Sequence, residues 1–340
     1  MQTRRLASTG IGLSEVAFGC GGNAGLMVRG THGEQTRTVS RALDLGINYF
    51  DNSPDYGNGA AEENLGRALA AIGHRPLLNS KVEIRAENLA DIAGHVVRSC
   101  EASLRRLGVD YLDVFQIHNG PITPAPHLDG KVYTQLATED FLRAGGAIEG
   151  LQRLRDAGKV RATGFICRGN DGEDVRRLLA TGVFDIINVP YTLLNPTAGM
   201  AKPKGLTVPR DYANVISAAR SAGVGCAIYS PLAGGFLTDA ALTRTQHPLA
   251  RAKDFSTAAS ERNRRAAEAL AFLKDEATPT LAQVAFRFIL GDPGVTTVLG
   301  GFSSIEQLEE LAEVSGAPPF PPAKLARLDA LWNSDFGSEG

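Results

Sequence analysis

The stretch GINYFDNSPDYGNGAAEENLGRAL, residues 46–69, joins a short apolar run, a polar turn and an alanine-rich helical pattern. Its apolar run ends on Asp51, and Tyr56 follows five residues later. Two other apolar runs also end on ionisable residues, PLLNS on Lys81 and YLDVFQI on His118. Catalytic residues of parallel barrels lie at the C-terminal ends of several strands. These three strand ends therefore predict one shared active site.

The rest of the chain alternates short apolar runs with helical patterns. Nearly continuous apolar runs are typical of parallel strands buried on both faces. They lie at 16–19, 47–51, 77–81, 111–118, 160–166, 184–189, 225–229 and 296–299. Apolar residues at three- and four-residue spacing predict helices at 34–45, 62–71, 88–107, 146–157, 174–180, 212–222, 281–290 and 304–314. Eight such alternations predict an α/β fold, a (β/α)8 barrel formed as a single domain from residues 1–340.

The chain is longer than a minimal barrel, which takes about 250 residues. The excess falls in 119–145, 192–210, 231–256 and the tail after 316, and the first three segments follow predicted strands 4, 6 and 7. We therefore expect extended loops at the C-terminal face, where long loops shape pockets. Candidate pocket residues, each with simple packing as the alternative, are His127, Tyr133, Arg168, Tyr191 and Phe236.

Two other features of these segments support predictions. The loop 119–145 mixes prolines with Asp129, Lys131 and Tyr133, which indicates a polar, hydroxylated substrate. The only tryptophan, Trp332, lies in a helical tail that we expect to pack against the bottom of the barrel.

Composition argues against several classes of protein. A net charge of -2 gives no electrostatic attraction to nucleic acid or to an anionic membrane. No apolar run reaches the length of a membrane span, and Glu15 and several glycines interrupt the segment after Arg4 and Arg5, so we expect no signal peptide. The four cysteines lie far apart and the histidines are not clustered, which predicts buried thiols, a cytoplasmic location and no metal site.

The ionisable strand ends suit the chemistry of a carbonyl. Hydride reduction needs a proton at the oxygen, and a tyrosine with a pKa of about 10 is a poor donor. Lys81 beside Tyr56 is expected to lower that pKa, and a buried lysine needs a carboxylate, for which Asp51 is the candidate. His118 could orient the carbonyl. Each residue alone also has a structural explanation, but charge at three strand ends favours catalysis.

These motifs resemble the signature of the aldo-keto reductase superfamily, G-x-x-x-x-D-x-A-x-x-Y-G…E-x-x-L-G-x-A-L. The family's lysine and histidine segments resemble SKV and FQIHN in this chain. Its opening β-hairpin and first strand resemble RRLASTGIGLSEVAFGCGG, and its strand 7 and cofactor loop resemble IYSPLAGGFLT. The resemblance extends over residues 4–311. It implies nicotinamide-dependent carbonyl reduction or alcohol oxidation. The implied catalytic tetrad is Asp51, Tyr56, Lys81 and His118, with Tyr56 as the general acid/base.

The same resemblance implies the cofactor contacts. Tyr229 matches the aromatic residue that stacks on the nicotinamide, and LGGFSSIEQLEEL resembles I-P-G-A-x-x-x-x-Q-L-x-E-N, a glycine turn that opens a helix. Free amides at a helix start suit a phosphate, and Ser303 and Glu306 have capping-box spacing. A plain capped helix is the alternative. The further implied contacts are Gly21, Asn188, Ser230, Leu232, Gly234, Gly301, Phe302, Ser303, Ser304 and Gln307.

Some positions depart from the family pattern. Ser304 stands where many members carry an arginine that binds the 2′-phosphate of NADP. The cofactor is therefore NADPH or NADH, and only the general preference of the family favours NADP. Ile166 and Cys167 replace the Ser-Asn pair that holds the nicotinamide carboxamide. Asn188 replaces a glutamine and is expected to carry more of that contact.

Other interpretations remain open. The segment GCGGNA at 19–24 satisfies the dinucleotide fingerprint of a doubly wound fold. That fold needs a helix directly after the fingerprint and an acidic residue at the end of the next strand. Here the following segment is broken by glycines, and Asp44 falls inside a helical pattern. The leading hypothesis is an NAD(P)-dependent oxidoreductase that acts on a small aldehyde, ketone or sugar, and a resemblance to sugar and pyridoxal dehydrogenases implies oxidation with NAD. The alternatives are a regulatory or redox-sensing subunit with slow turnover and a Schiff-base enzyme that uses Lys81. The sequence leaves the oligomeric state open.

Overall fold

Eight parallel strands close into a barrel in the computed structural model, which describes residues 1–6, 9–123, 125, 135–169 and 172–337. The strands are β1 (Val16–Gly19), β2 (Tyr49–Asp51), β3 (Leu77–Val82), β4 (Leu112–Ile117), β5 (Val160–Ile166), β6 (Ile186–Pro190), β7 (Gly225–Tyr229) and β8 (Val295–Gly301). Each strand pairs with its neighbours in chain order, and β8 pairs with β1. The predicted (β/α)8 barrel is confirmed, and the doubly wound alternative is wrong.

A helix follows each strand and covers the outside of the barrel. These helices are α1 (His32–Asp44), α2 (Ala60–Ile72), α3 (Ile92–Leu107), α4 (Ala147–Asp156), α5 (Gly172–Leu179), α6 (Val215–Ser221), α7 (Leu281–Leu290) and α8 (Ile305–Ala312). On α3, for example, Ile92, Val96 and Cys100 recur at four-residue spacing and face the barrel. The helix begins four residues later than predicted because the Asp91 carboxylate accepts a hydrogen bond from the Gly94 amide and caps it.

The connecting segments contain shorter elements, including a helix that the apolar pattern did not predict. They are strands Gly120–Ile122 and Gln135–Ala137, helices Leu26–Arg29, Thr138–Leu142, Asp239–Leu242 and Ala258–Ala269, and 3-10 turns Ala86–Asn88, Ala233–Gly235, Leu270–Leu273 and Asp335–Gly337. Helix Ala258–Ala269 buries only Ser260, Ala266 and Ala267 among its residues, so it has no stripe of large apolar side chains to reveal it.

A β-hairpin closes the bottom of the barrel. Strands Thr3–Leu6 and Ile11–Ser14 pair antiparallel. Leu6 and Leu13 are fully buried, and they belong to the same apolar cluster as barrel residues such as Val114. Apolar side chains therefore fill this end, and the polar side chains of the interior lie towards the opposite end, where the strands finish.

The helical tail Pro322–Asn333 does not cover the barrel bottom, contrary to the prediction. Trp332 is buried and its indole Nε1 donates to the carbonyl of Leu193, 2.8 Å away, in the segment after β6. Lys324 Nζ donates to the carbonyl of Leu273, in the segment after β7. The predicted packing of Trp332 is confirmed, but its place was not predicted, because an amphipathic pattern shows that a helix packs without specifying the surface against which it packs.

The cysteines are as predicted: Cys20, Cys100, Cys167 and Cys226 are all buried and free. Burial raises the pKa of each thiol, that of Cys100 to about 12. Over the described ranges, none of the helices combines the length and the apolar character that crossing a membrane requires.

Candidate active site

The three ionisable strand ends converge at the C-terminal mouth of the barrel. Lys81 Nζ on β3 lies 2.7 Å from Asp51 Oδ2 on β2 and 3.3 Å from Tyr56 Oη in the turn after β2. The Asn52 carbonyl accepts a further hydrogen bond from Lys81 Nζ at 2.7 Å. His118 follows β4, and its ring centroid is 6.0 Å from that of Tyr56. The structure therefore brings together all four residues of the predicted tetrad.

The charges of this group depend on burial and on one ion pair. The side chains of Lys81 and Asp51 are 2% and 5% exposed. Burial lowers the pKa of Lys81, but Asp51 and Tyr56 outweigh it, so the pKa of the ammonium is raised and it stays charged. Burial raises the pKa of Tyr56 more than Lys81 lowers it. The expected lowering of the Tyr56 pKa is therefore wrong in its net direction, and the phenol is protonated at neutral pH.

A ring of amides lies beside Asp51 inside the barrel. Asn79 Nδ2 donates to Asp51 Oδ1 at 2.6 Å and to Gln116 Oε1 at 3.0 Å. Gln116 Nε2 donates to Asn188 Oδ1 at 2.9 Å, and Asn188 Nδ2 returns to Asp51 Oδ1 at 3.4 Å. A Cβ on Gly164 would lie 2.9 Å from Gln116 Nε2, so this glycine makes room for the ring.

Asn79 and Gln116 were not among the predicted site residues, although polar residues inside apolar strands were the available signal. The ring also involves Asn188, which the resemblance assigned to the nicotinamide carboxamide. Since both ends of its side-chain amide already have partners, a contact with the carboxamide would compete with the ring.

A second carboxylate faces His118. His118 Nδ1 lies 3.3 Å from Asp55 Oδ2 and 3.3 Å from Ser53 Oγ. Asp55 Oδ1 accepts from Arg85 at 2.8 Å, and Arg85 also lies 3.5 Å from Glu83. Burial lowers the pKa of His118, and the hydrogen bond to Asp55 opposes this only in part, so the ring is neutral at neutral pH. Ser53, Asp55 and Arg85 were not predicted, because their contacts depend on the conformation of the turn after β2.

Several predicted cofactor residues lie on tight turns next to the tetrad. Tyr229 ends β7, and its hydroxyl donates to the Cys167 carbonyl at 3.1 Å. Ser230 has φ 53°, and Gly234 has φ 69° in the turn that follows Leu232. These positive φ values place a compact backbone turn directly after the strand end, where backbone amides can approach a ligand.

The loops after β1 and β7 meet beside this turn. A Cβ on Gly21 would lie 3.7 Å from the Tyr56 ring, so the first loop approaches the tetrad closely. The Arg251 amide donates to the Asn23 carbonyl at 2.7 Å, and Arg29 Nε donates to the Leu249 carbonyl at 3.0 Å. The segment after β7 therefore touches the loop after β1.

The start of α8 contains a second group of predicted cofactor residues, apart from those in the turn after β7. Ser304, not Ser303, caps the helix by accepting from the Gln307 amide, because its backbone is extended while Ile305 is already helical. The capping-box prediction for Ser303 and Glu306 is thus wrong by one residue. Ser303 instead donates its hydroxyl to the Ala24 carbonyl at 2.6 Å, and its amide donates to Gln307 Oε1 at 2.8 Å.

Neighbouring positions differ in what they can offer to a cofactor. Phe302 is buried against Phe18, with ring centroids 5.2 Å apart, so only its backbone can contact a ligand. A Cβ on Gly301 would lie 3.2 Å from the Ala24 side chain. The first backbone N–H groups of a helix have no intrahelical acceptor, but at this helix start the Glu306 carboxylate already accepts from the Ser304 hydroxyl and from its own backbone amide, which lowers the pKa of Glu306.

The candidate pocket residues divide into three groups. His127 and Tyr133 lie outside the described residues, as do Asp129 and Lys131. Tyr191 is buried and packs on Phe288, so it is a core residue. Phe236 packs edge-on against Phe255 in the segment after β7. Arg168 follows β5 and contributes to lowering the pKa of His118, which places its charge near the tetrad.

Residues 15–333 of the chain match the sequence model of the Aldo/keto reductase family. The protein belongs to the aldo-keto reductase family. It is 26% identical over 339 residues to the aldo-keto reductase YhdN of Bacillus subtilis (strain 168), with 93% of this chain and 89% of that protein covered. It is 25% identical over 323 residues to the L-galactose dehydrogenase of Arabidopsis thaliana, with 91% and 86% covered.

A solved structure supports the fold of this aldo-keto reductase independently. The holo form of an aldo-keto reductase from Bacillus halodurans superposes with a TM-score of 0.69 at 22% identity. The superposition covers 97% of this chain and 96% of that one.

Proposed function

We propose that this protein is an NAD(P)-dependent oxidoreductase that interconverts a carbonyl compound and its alcohol by hydride transfer, with Tyr56 as the general acid/base. One observation carries the proposal: Lys81 Nζ is hydrogen-bonded to both Tyr56 and Asp51 in a buried setting. Membership of the aldo-keto reductase family supports the use of a nicotinamide cofactor.

The side chains have distinct roles in this reaction. A bound nicotinamide supplies or accepts the hydride. Tyr56 is protonated at neutral pH, so its hydroxyl can donate a proton to the carbonyl oxygen during reduction, although burial raises its pKa and makes it a weaker acid. Lys81 stays charged 3.3 Å away and stabilises the phenolate that remains, while Asp51 balances the buried ammonium. Acid–base groups placed in this way contribute about 10²–10⁴-fold in rate.

The cofactor contacts are proposed for the turn after β7 and for the start of α8. Tyr229, Ser230, Leu232 and Gly234 would hold the nicotinamide and the pyrophosphate. At α8 the Ser304 hydroxyl caps the helix and offers no cation to a 2′-phosphate. The proposal therefore includes both NADPH and NADH, and thermal-shift measurements with the four nicotinamide dinucleotides rank them directly.

The substrate is proposed to be a small aldehyde, ketone or sugar. Charged groups at the mouth, Asp55, Arg85 and Glu83, suit the hydroxyl groups of a sugar, since carboxylates accept and guanidinium groups donate hydrogen bonds. The name of one relative, an L-galactose dehydrogenase, agrees with a sugar. A cytoplasmic location is part of the proposal, supported by four free and buried thiols.

The Tyr56→Phe variant tests the proposal. It should still quench or blue-shift the fluorescence of reduced nicotinamide, and its turnover should fall at least about 10²-fold. A variant with undiminished turnover would disprove the role of Tyr56, and a wild-type protein that binds neither dinucleotide would disprove the function.

A cofactor-binding subunit with slow turnover is the competing function. The complete set of contacts from Asp51 through Lys81 to Tyr56 favours catalysis, because a binding role does not require them. A panel of aldehydes, ketones and sugars with NADPH and NADH distinguishes the two functions, since a sensor would turn over every compound slowly.

A further inference from the structure

A cavity of about 310 Å³ lies on the flank of the barrel, and none of the tetrad residues lines it. It is bounded by the end of α7, the segment after β6 and the helical tail. Phe288, Phe320 and Leu325 form its apolar walls, and Leu325 is 42% exposed. Ligand pockets begin at about this volume and combine apolar walls with a few polar groups, so the polar groups of this cavity indicate what it can bind.

Asp292, in the turn before β8, supplies a carboxylate with no cation at ion-pair distance in the described part of the chain. Its Oδ1 accepts from the Gly294 amide at 2.8 Å. Burial raises the pKa of this carboxyl, and the Gly294 amide and the charges of Arg220 and Arg4 oppose the effect only in part. A cation that reached Oδ2 would offset the cost of burying the charge, so this carboxylate favours a positively charged ligand.

The Tyr191 hydroxyl lies next to this carboxylate. Tyr191 is 5% exposed, and over the described ranges its hydroxyl has no hydrogen-bond partner. A Cβ on Gly199 would lie 2.8 Å from Tyr191 Oη and 2.7 Å from Asp292 Oδ2, so the two oxygens converge beside this glycine. An ammonium group has three N–H donors and no acceptor, so two neighbouring oxygens of this kind suit it.

The Arg287 guanidinium also lines the cavity and adds positive charge. Asp275 Oδ2 accepts from Arg287 Nη1 and from Lys324 Nζ, at 2.8 Å in both cases. In the part of the chain that the structure describes, neither cation has another carboxylate partner, so this group keeps one positive charge in excess. Among the same residues, hydrogen bonds occupy Nε and Nη1 of Arg287 but not Nη2. Nη2 can therefore donate to a carboxylate, which a guanidinium group binds well.

We propose that this cavity binds a free α-amino acid with an apolar side chain. The ammonium donates to Asp292 and Tyr191, the carboxylate accepts from Arg287, and the side chain packs against Phe288 and Phe320. A zwitterion fits because Asp292 needs a cation while Arg287 can bind an anion. An amine alone would satisfy only the first of these groups, and a carboxylic acid alone only the second. The site is separate from the tetrad, so the inference does not rest on the proposed function.

The first experiment compares ligands that share parts of the amino acid. Isothermal titration calorimetry with the wild type, without cofactor or carbonyl compound, uses L-phenylalanine, L-leucine, phenethylamine and 3-phenylpropionate. The last two keep the phenyl ring of L-phenylalanine but lack its carboxylate and its ammonium, respectively. L-phenylalanine should bind at least about tenfold more tightly than either, because each has lost a charged hydrogen bond. Equal affinities, or no binding of either amino acid, would overturn the proposal.

The Asp292→Asn variant tests the carboxylate and keeps the local turn. Its amide oxygen can still accept from the Gly294 amide, but the charge is lost. The affinity for L-phenylalanine should fall at least about tenfold, and the affinity for 3-phenylpropionate, which has no ammonium, should not fall. Asp211→Asn is the matched control, because Asp211 Oδ1 likewise accepts from the amide two residues later, that of Ala213, at 2.8 Å, and Asp211 does not line the cavity. This control should bind every ligand as the wild type does.

The Gly199→Ala variant changes no charge and fills the space beside the two oxygens. Its methyl group would lie 2.7 Å from Asp292 Oδ2 and 2.8 Å from Tyr191 Oη, so binding of L-phenylalanine should be lost. If Asp292→Asn does not fold, this variant and the four ligands still test the site. An unchanged affinity for L-phenylalanine in either variant, or an equal loss for L-phenylalanine and 3-phenylpropionate in Asp292→Asn, would overturn the inference. A protein that reduces no carbonyl compound would refute the proposed function and would not affect these titrations.

Discussion

Removal of the Asp51 charge probes the buried ion pair on which the site depends. Asp51→Asn would leave Lys81 as an ammonium that is 2% exposed and has lost its counter-ion at 2.7 Å. Breaking a buried pair from one side costs about 3–5 kcal/mol. In a long chain each kcal/mol lost lowers the melting temperature by about 2 °C, so the melting temperature of Asp51→Asn should fall by about 6–10 °C.

A double-mutant cycle shows whether this loss belongs to the pair. Lys81→Met removes the cation, so the Asp51→Asn/Lys81→Met double variant should recover part of the stability that Asp51→Asn loses. The assay is thermal unfolding followed by circular dichroism for the wild type, both single variants and the double variant. Arg98→Gln serves as a control, because it removes a pair with Asp91 whose side chains are 63% and 60% exposed, and little shift is expected.

The cycle also has a clear negative result. If the losses of the two single variants simply add up in the double variant, the two groups are not coupled and the ion pair does not organise the site. The same variant bears on the chemistry, since Asp51 is the first of the groups that raise the pKa of Lys81. Asp51→Asn should therefore also lose turnover, because the ammonium beside Tyr56 becomes easier to deprotonate.

Three further perturbations test other parts of the structure. Burial lowers the pKa of His118 from 6.5, so the unfolded chain takes up a proton at a higher pH than the folded protein does. The free energy of unfolding, measured with urea, should therefore decrease as the pH falls below 6.5. The decrease should be smaller in His118→Gln. Gly164→Ala would place a Cβ in steric overlap with the Ile186 carbonyl oxygen. The free energy of unfolding measured with urea should therefore fall by about 1–3 kcal/mol. A variant as stable as the wild type would show that β5 can shift to make room for the methyl group. Gln116→Leu breaks the amide ring and leaves buried partners on both sides, at about 1–3 kcal/mol each; an unchanged urea midpoint would show that the ring contributes nothing.

The fold and the tetrad could be predicted from the sequence because each depends on local patterns. Strand and helix periodicity indicated the eight alternations, and ionisable residues at the ends of apolar runs marked Asp51, Lys81 and His118. These signals are independent of how the strands curve, so they survive without coordinates.

Features that depend on register or on the extent of burial could not be predicted. The amide ring needs Asn79, Gln116 and Asn188 at one level of the closed barrel, which depends on strand stagger and not on any one strand. The net direction of the Tyr56 pKa shift depends on how much desolvation exceeds the effect of Lys81. The cap at Ser304 instead of Ser303 depends on the backbone angles at one residue.

The docking of Trp332 on the segment after β6 gives the protein a built-in optical reporter. It is the sole indole in the chain, and it is buried with its Nε1 hydrogen-bonded to the Leu193 carbonyl and its ring edge-on to Phe288. Its emission is therefore sensitive to the detachment of the tail from this segment. A red shift that precedes the loss of helical ellipticity on heating would identify the tail as the first part of the structure to come loose.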